Sequence, residues 1–420
     1  MIQTSVLPSG IRLVTETMAD VRSVAVAFWV GSGSRDEPDE LAGASHFLEH
    51  LLFKGTSTRS AASIAESLDE VGGDCNAFTT KEYTTFYIRL LAEHLPLGLD
   101  ILSDIMWQPA LRQVDVDAER TVILDEILMH ADEPADLAAE QWQSSMFCGH
   151  ALGRDTLGTA STVEALDASD IRGFFAHHYR PGNMVVSVAG DCTHEAVAAD
   201  LERRFAGSAG GTAPVREAPG TDLRPFHVVR RPTEQAHVVY GVRSVDRHDE
   251  RRWALSVLNH VLGGGLSSRL FQKVREERGL AYSVWSERAA YQDAGSLAVV
   301  VGTAPENVDE VLRIVTGELE LLAEHGITER ELAVAKGNLR AEMLLSGEDS
   351  GARMSRIGAS LLLHGEIRTV DEVLARVEAV TRDEVLARAG ELVSAPRSLS
   401  AVGPFDEEAF DDHLTAMAAQ

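Results

Sequence analysis

Two histidines and a glutamate stand together in ASHFLEHLLFKGT, residues 44–56. His46 and His50 are four apart, so on a helix they project from one face about one turn apart. Two imidazoles so placed can grip one Zn²⁺ through a nitrogen each. Glu49 follows His46 by three residues and shares that side, where a carboxylate can take a proton from metal-bound water. The order inverts the more familiar HExxH, with the same roles on a helix running the other way. Ser45 is placed to cap or lead into the helix, and Gly55 to stop it. Two structural histidines on a helix face would meet the same spacing.

A catalytic zinc usually takes three protein ligands and keeps one position open. The segment 115–132, DVDAERTVILDEILMHAD, has a strong helix pattern, with Val116, Val122, Ile123, Ile127 and Leu128 as its expected apolar face. Glu119 and Glu126 are seven apart, two turns along one stripe, so one can ligate a buried metal while the other supports it. Spacing alone leaves open that both are solvated helix residues.

The elements that must position these groups fall into two halves. A chain of 420 residues, 45% apolar and 25% charged, is globular and long enough for two domains. Residues 207–224, GSAGGTAPVREAPGTDLR, lack apolar periodicity and read as a joint. The expected division is a metal-binding domain over 1–208, a linker over 209–223 and a second domain over 224–420. Each half opens with a strand-like run (23–30 and 236–242), then a polar loop, then two helices (43–53 and 60–71; 250–262 and 267–278). Later strands are expected at 83–90, 184–189, 281–286 and 296–302, and helices at 305–324, 328–347, 350–363, 369–379 and 382–392. The expected class is α+β: two similar domains, each a mainly antiparallel sheet packed with helices.

The net charge of −27 argues against binding nucleic acid and favours steering of cationic partners. Cys75, Cys148 and Cys192 are widely spread and show no metal spacing, which suits a reducing compartment. No apolar run is long enough to span a membrane, and the N-terminus reads as a strand, not a signal. The cytoplasm is therefore the expected location. Gly263, Gly264 and Gly265 lack the Lys-Ser/Thr of a phosphate loop and read as a turn. His177 and His178 are neighbours that face different ways, so a paired ligand role is not expected.

HFLEHLLFKGT resembles the zinc site of the M16 metallopeptidases, the inverzincins, which include mitochondrial processing peptidase and its bacterial homologues. In that family HxxEH is followed about 75 residues later by a glutamate ligand on a helix, and ERTVILDEI places Glu126 76 positions after His50. The resemblance implies His46, His50 and Glu126 as ligands of one zinc per chain, Glu49 as general base, and Glu119 as a supporting acid. It places no ligand at His130. It implies an M16/LuxS-like metallohydrolase duplication as the fold and peptide hydrolysis as the activity.

Further matches extend along the chain. GGDCNAFTTKEYTTFYIRL (72–90) looks like the family's substrate-receiving edge strand, which implies substrate contacts at Asn76, Ala77, Phe78 and Thr79; Asn76 also reads as a turn residue. HHYRPGNMVVSVAGD (177–191) and LGGGLSSRLFQKVREERGLAYSV (262–284) look like later family segments. The second carries Arg275 and Tyr282 where the family contacts substrate. By themselves these two read as a solvated helix residue and a strand residue. Because family members build a closed chamber from four such domains, a two-domain chain is expected to pair as a homodimer, Arg275 and Tyr282 completing the partner's site. An acidic wall, with Asp132, Glu133, Asp136 and Glu140, predicts a preference for basic peptides. The competing readings are a non-catalytic subunit and a peptide-gripping metal protein that does not cut.

Overall fold

The computed structural model describes residues 1–410 and 413. The strands are β1 Ile2–Val6, β2 Arg12–Thr17, β3 Ser23–Val30, β4 Asp74–Thr79, β5 Thr84–Leu91, β6 Met184–Gly190, β7 Phe226–Arg230, β8 Ala236–Ser244, β9 Ala281–Ala290, β10 Gly295–Thr303 and β11 Arg397–Gly403. The helices are α1 Ala44–Leu52, α2 Ala61–Asp69, α3 Leu95–Trp107, α4 Gln113–Asp132, α5 Pro134–Met146, α6 Ala160–Ala165, α7 Ala168–His178, α8 His194–Arg204, α9 Arg252–Gly263, α10 Val308–His325, α11 Glu329–Ser346, α12 Ser350–His364, α13 Val370–Ala379 and α14 Arg382–Ser394.

The first sheet has the order β1-β2-β6-β3-β5-β4 and the second β7-β11-β8-β10-β9. β2 pairs with β6 in parallel and the remaining pairs are antiparallel; in the second sheet the one parallel pair is β7 with β11. Leaving out β1, order and sense match strand for strand. The two units are therefore α+β copies of one design, and α9 follows β8 as α1 follows β3.

Each sheet is apolar on both faces. In the first unit Val24, Val26 and Phe28 pack with Phe47, Leu48, Leu51 and Leu52 of α1. Those four side chains, each worth roughly 1.5–3 kcal/mol when fully buried, fix the histidine helix to the sheet. The alternate residues Ala25, Ala27 and Trp29 pack under Met354, Ile357 and Leu361 of α12. In the second unit α9, α10 and α14 cover one face and α5 the other, through Leu137, Ala138 and Trp142.

This arrangement corrects the simple division at 209–223. The first compact unit is Met1–Ile127, Arg154–Glu217 and Leu344–Arg368, and the second is Leu128–Gly153, Ala218–Met343 and Thr369–Gln420. Each half of the sequence lends one helix to the other half's sheet, because a sheet apolar on both faces needs a cover on each. The joint is not a bare tether either. Arg216 donates to both carboxylate oxygens of Asp36 at 2.8 Å and to the carbonyls of Gly31 and Glu82. The helix expected over 267–278 is shorter: Phe271–Glu276 forms a wide π-type turn. Among the described residues no helix is long and apolar enough to cross a membrane.

The seat of α12 depends on one missing side chain. A Cβ at Gly358 would lie 2.3 Å from Trp29 Nε1 and 2.6 Å from Ser187 Oγ, the pair joined by a 2.8 Å hydrogen bond. Gly358→Ala is expected to destabilise the chain by about 1–2 kcal/mol despite alanine's better helix propensity. A urea midpoint equal to or above the parent's would refute this packing account.

Candidate metal centre

α1 and α4 bring the expected trio together. Glu126 Oε2 lies 3.6 Å from His46 Nε2 and 3.7 Å from His50 Nε2, and one ligand atom from each residue falls within 4.8 Å of the others. Zinc bonds of about 2.1 Å in tetrahedral geometry hold donor atoms roughly 3.4 Å apart, so this donor set fits one zinc. Two neutral imidazoles and a carboxylate are also the donors zinc accepts. Among the described residues no other group of His, Cys, Asp and Glu converges in this way.

Glu119 supports the trio without joining it. Its Oε2 lies 3.1 Å from His50 Nδ1 and its Oε1 2.6 Å from Lys54 Nζ. A carboxylate at Nδ1 selects the tautomer with its proton there, which turns the Nε2 lone pair toward Glu126. Lys54 balances the buried charge of Glu119. Glu119→Gln is expected to weaken zinc binding about 10- to 100-fold, the range typical of groups that orient a ligand. Competition against a chromogenic chelator measures it; unchanged affinity would remove Glu119 from that role.

α4 differs from its expected face. Val116, Glu119 and Ile123 are buried, whereas Val122 and Leu128 are exposed. Val122 lies about 240° around the helix from Val116, so it cannot share a face with Val116 and Ile123. The buried stripe instead carries an acid in its middle, as a helix serving a cation would.

Glu49 sits over the same helix face and accepts a 2.6 Å hydrogen bond from the Thr79 hydroxyl. Burial pushes its carboxyl above the ordinary range; the Thr79 hydroxyl and His50 pull the other way, and Glu126 adds to the rise. Thr79 ends β4, one of the two edge strands of the first sheet. Asn76, Ala77, Phe78 and Thr79 all lie on that strand, so Asn76 is not a turn residue; its Oδ1 accepts the Ala77 N–H at 2.8 Å. Cys75 on the same strand is pushed up to about 12 by burial and by Asp74, so it offers no thiolate at neutral pH.

In the second unit the Arg275 guanidinium lies over the rings of Tyr282, at 4.7 Å, and Phe271, at 4.8 Å. Tyr282 is 77% exposed and lies on β9, the edge of its sheet. α9, which holds the place in this unit that α1 holds in the first, reads RWALSVLNHVLG and offers only His260 as a zinc donor. His178 is buried against Phe174, with ring centroids 4.3 Å apart.

Three partners escaped sequence reading. Thr79, expected as a substrate contact, also donates its hydroxyl to Glu49, a link the spacing does not show. Lys54 stands in the turn just past the end of α1, where helical spacing does not show its partner Glu119. The α1 cap is not Ser45, which lies inside the helix; the cap residue is Gly43, and the carboxylate that closes the helix is Glu37.

Comparison with known proteins places the chain. Residues 12–160 match the family model described as insulinase (peptidase family M16), and residues 165–339 match the one described as the peptidase M16 inactive domain. The chain is 45% identical over 415 residues to a protein of Streptomyces coelicolor named as an uncharacterized zinc protease, covering 97% of this chain and 90% of that one. Proteins of the same description from Mycobacterium tuberculosis and Bacillus subtilis are 44% and 38% identical, covering 95% and 96% of this chain and 92% and 98% of theirs. A Pseudomonas fluorescens crystal structure titled as a peptidase M16 inactive domain superposes with TM-score 0.90 at 20% identity, covering 96% of this chain and 98% of that one. A protease from Helicobacter pylori superposes with TM-score 0.89 at 21% identity, covering 96% and 99%. The chain belongs to peptidase family M16.

Proposed function

We propose that this chain is a zinc-dependent endopeptidase that hydrolyses peptides and unfolded polypeptide segments, with one zinc per chain. The observation that carries the reading is the convergence of His46, His50 and Glu126 with Glu49 beside them. Bound there, zinc would supply Lewis acidity toward the scissile carbonyl and a water molecule. Glu49 takes the proton of the attacking water and delivers it to the leaving amine. Its burial, which raises its basicity above that of a solvated carboxylate, suits that task. An extended substrate adds to the free edge of β4 through main-chain hydrogen bonds, so sequence tolerance comes with the docking mode. Thr79 joins that edge to the general base.

The proposal extends to assembly. Two chains pair, and Arg275 and Tyr282 of one stabilise the tetrahedral oxyanion in the other's site. The chamber excludes folded proteins and its acidic wall favours basic stretches. The place of action is the cytoplasm, in keeping with three free cysteines.

The test uses an unstructured basic peptide. Cleavage is expected with the zinc-loaded protein, to be lost with chelator and restored by added zinc. Mixing inactive Glu49→Gln with inactive Arg275→Ala is expected to restore part of the activity. Cleavage indifferent to chelator would refute the zinc reading, and no complementation between chains that exchange would refute the shared site.

A further inference from the structure

The start of α1 is closed by a side chain from outside the helix. A helix N-terminus leaves four backbone N–H groups without intrahelical acceptors. At the cap of α1 stands Gly43, at φ +99°, where a side chain would be strained and its Cβ would meet the Leu157 carbonyl oxygen at 2.6 Å. The acceptors come from six residues upstream. Glu37 Oε2 accepts the Gly43 N–H at 2.9 Å, and Glu37 Oε1 accepts the Ser45 N–H at 2.7 Å. One carboxylate thus spans the cap and the first turn, and the next residue is His46. Glu37 is only 5% exposed. Burial pushes the Glu37 carboxyl up to about 7, against the two backbone N–H groups that favour its ionised form; once ionised it also opposes the positive pole of the helix.

The loop that carries Glu37 is itself held from three sides. Arg154 donates to the carbonyls of Ser34 and Glu37 at 3.2 and 2.7 Å. Arg35 pairs with Glu82 at 2.7 Å, with both side chains about 2% exposed. Arg216 forks onto Asp36 at 2.8 Å. Glu82 belongs to the turn between β4 and β5, so this frame ties the start of α1 to the strand that carries Thr79.

We propose that Glu37 is a positioning residue of the metal centre: its two-oxygen grip fixes the first turn of α1 and so the aim of His46 relative to His50 and Glu126. The inference rests on the zinc reading of that trio. Glu37 touches neither metal nor substrate; it acts through the backbone of Gly43 and Ser45. Because one imidazole follows directly on the held turn and the other lies a turn further on, loosening the cap disturbs His46 more than His50.

The test loads the full chain with Co²⁺, whose visible spectrum reports ligand geometry, and measures affinity by chelator competition. Glu37→Ala is expected to weaken metal binding about 10- to 100-fold, as loss of a ligand-orienting group does, and to shift the cobalt bands. Glu37→Gln keeps one acceptor oxygen and is expected to fall between Ala and the parent; it also serves if the Ala variant does not fold. On peptide, kcat falls and KM holds. Gly358→Ala, which disturbs the opposite face of the same sheet, is the stability control and is expected to keep the parent's spectrum. Parent-like affinity and bands in both Glu37 variants would overturn the proposal, as would an equal metal loss in Gly358→Ala. If the parent binds cobalt but cuts no peptide, the peptidase reading fails while the affinity series still decides Glu37. A parent that binds no cobalt overturns both.

Discussion

Glu49→Gln is expected to cut kcat on a peptide substrate by about 10³-fold while leaving zinc content unchanged. General acid–base groups contribute roughly 10²–10⁴-fold, and Glu49 is asked to serve both as base and as acid. Glutamine has the same shape and keeps an oxygen for the Thr79 hydroxyl, which donates at 2.6 Å in the parent. Neither His46, His50 nor Glu126 loses a contact with it as donor. The loss therefore reports proton transfer and not collapse of the site. Metal analysis of the same preparation separates the two. A Gln variant that turns over within a few-fold of the parent would remove Glu49 from the reaction.

Glu126→Ala is expected to release the metal and leave the fold. Four-ligand structural zinc sites gain about 10–16 kcal/mol on binding, so one ligand is worth roughly 3 kcal/mol. At about 1.4 kcal/mol per tenfold, zinc affinity should fall by about two orders of magnitude. The fold should survive because α4 is anchored by Val116 and Ile123, both buried, and because Glu126 is partly exposed. Chelator competition gives the affinity and circular dichroism the fold. Parent-like affinity would mean that another group is the third ligand. Glu119→Gln, which leaves all three donor atoms in place, should lose no more affinity than this.

The two variants differ in how visible their positions are in the sequence. His46, Glu49 and His50 lie within five residues, and helical periodicity alone brings them together. Glu126 is legible only through the family's spacing, since a helix pattern does not say what its face meets. The same limit misplaced Val122 and Leu128: an apolar stripe was drawn where the buried stripe holds Glu119. The α1 cap was missed for a related reason. A capping residue is sought at the cap, whereas here a loop folds back and Glu37 reaches Gly43 from six residues away. The two sheets were legible as α+β copies because strand-loop-helix order repeats. The exchange of α5 and α12 was not, because amphipathicity marks that a helix covers something without naming the sheet.

That exchange has a consequence for how the protein is made. The last strand of the first sheet, β6, ends at Gly190, but its cover α12 begins at Ser350. At translation speeds of about 5–20 residues per second, the ribosome takes on the order of ten seconds or more to supply that helix. During this wait Ala25, Ala27 and Trp29 have nothing to lie against on their side. The nascent first half is thus a natural client for a chaperone, and a fragment stopped at the joint should precipitate. The second face of the first sheet is thus completed only by residues from the far half of the chain.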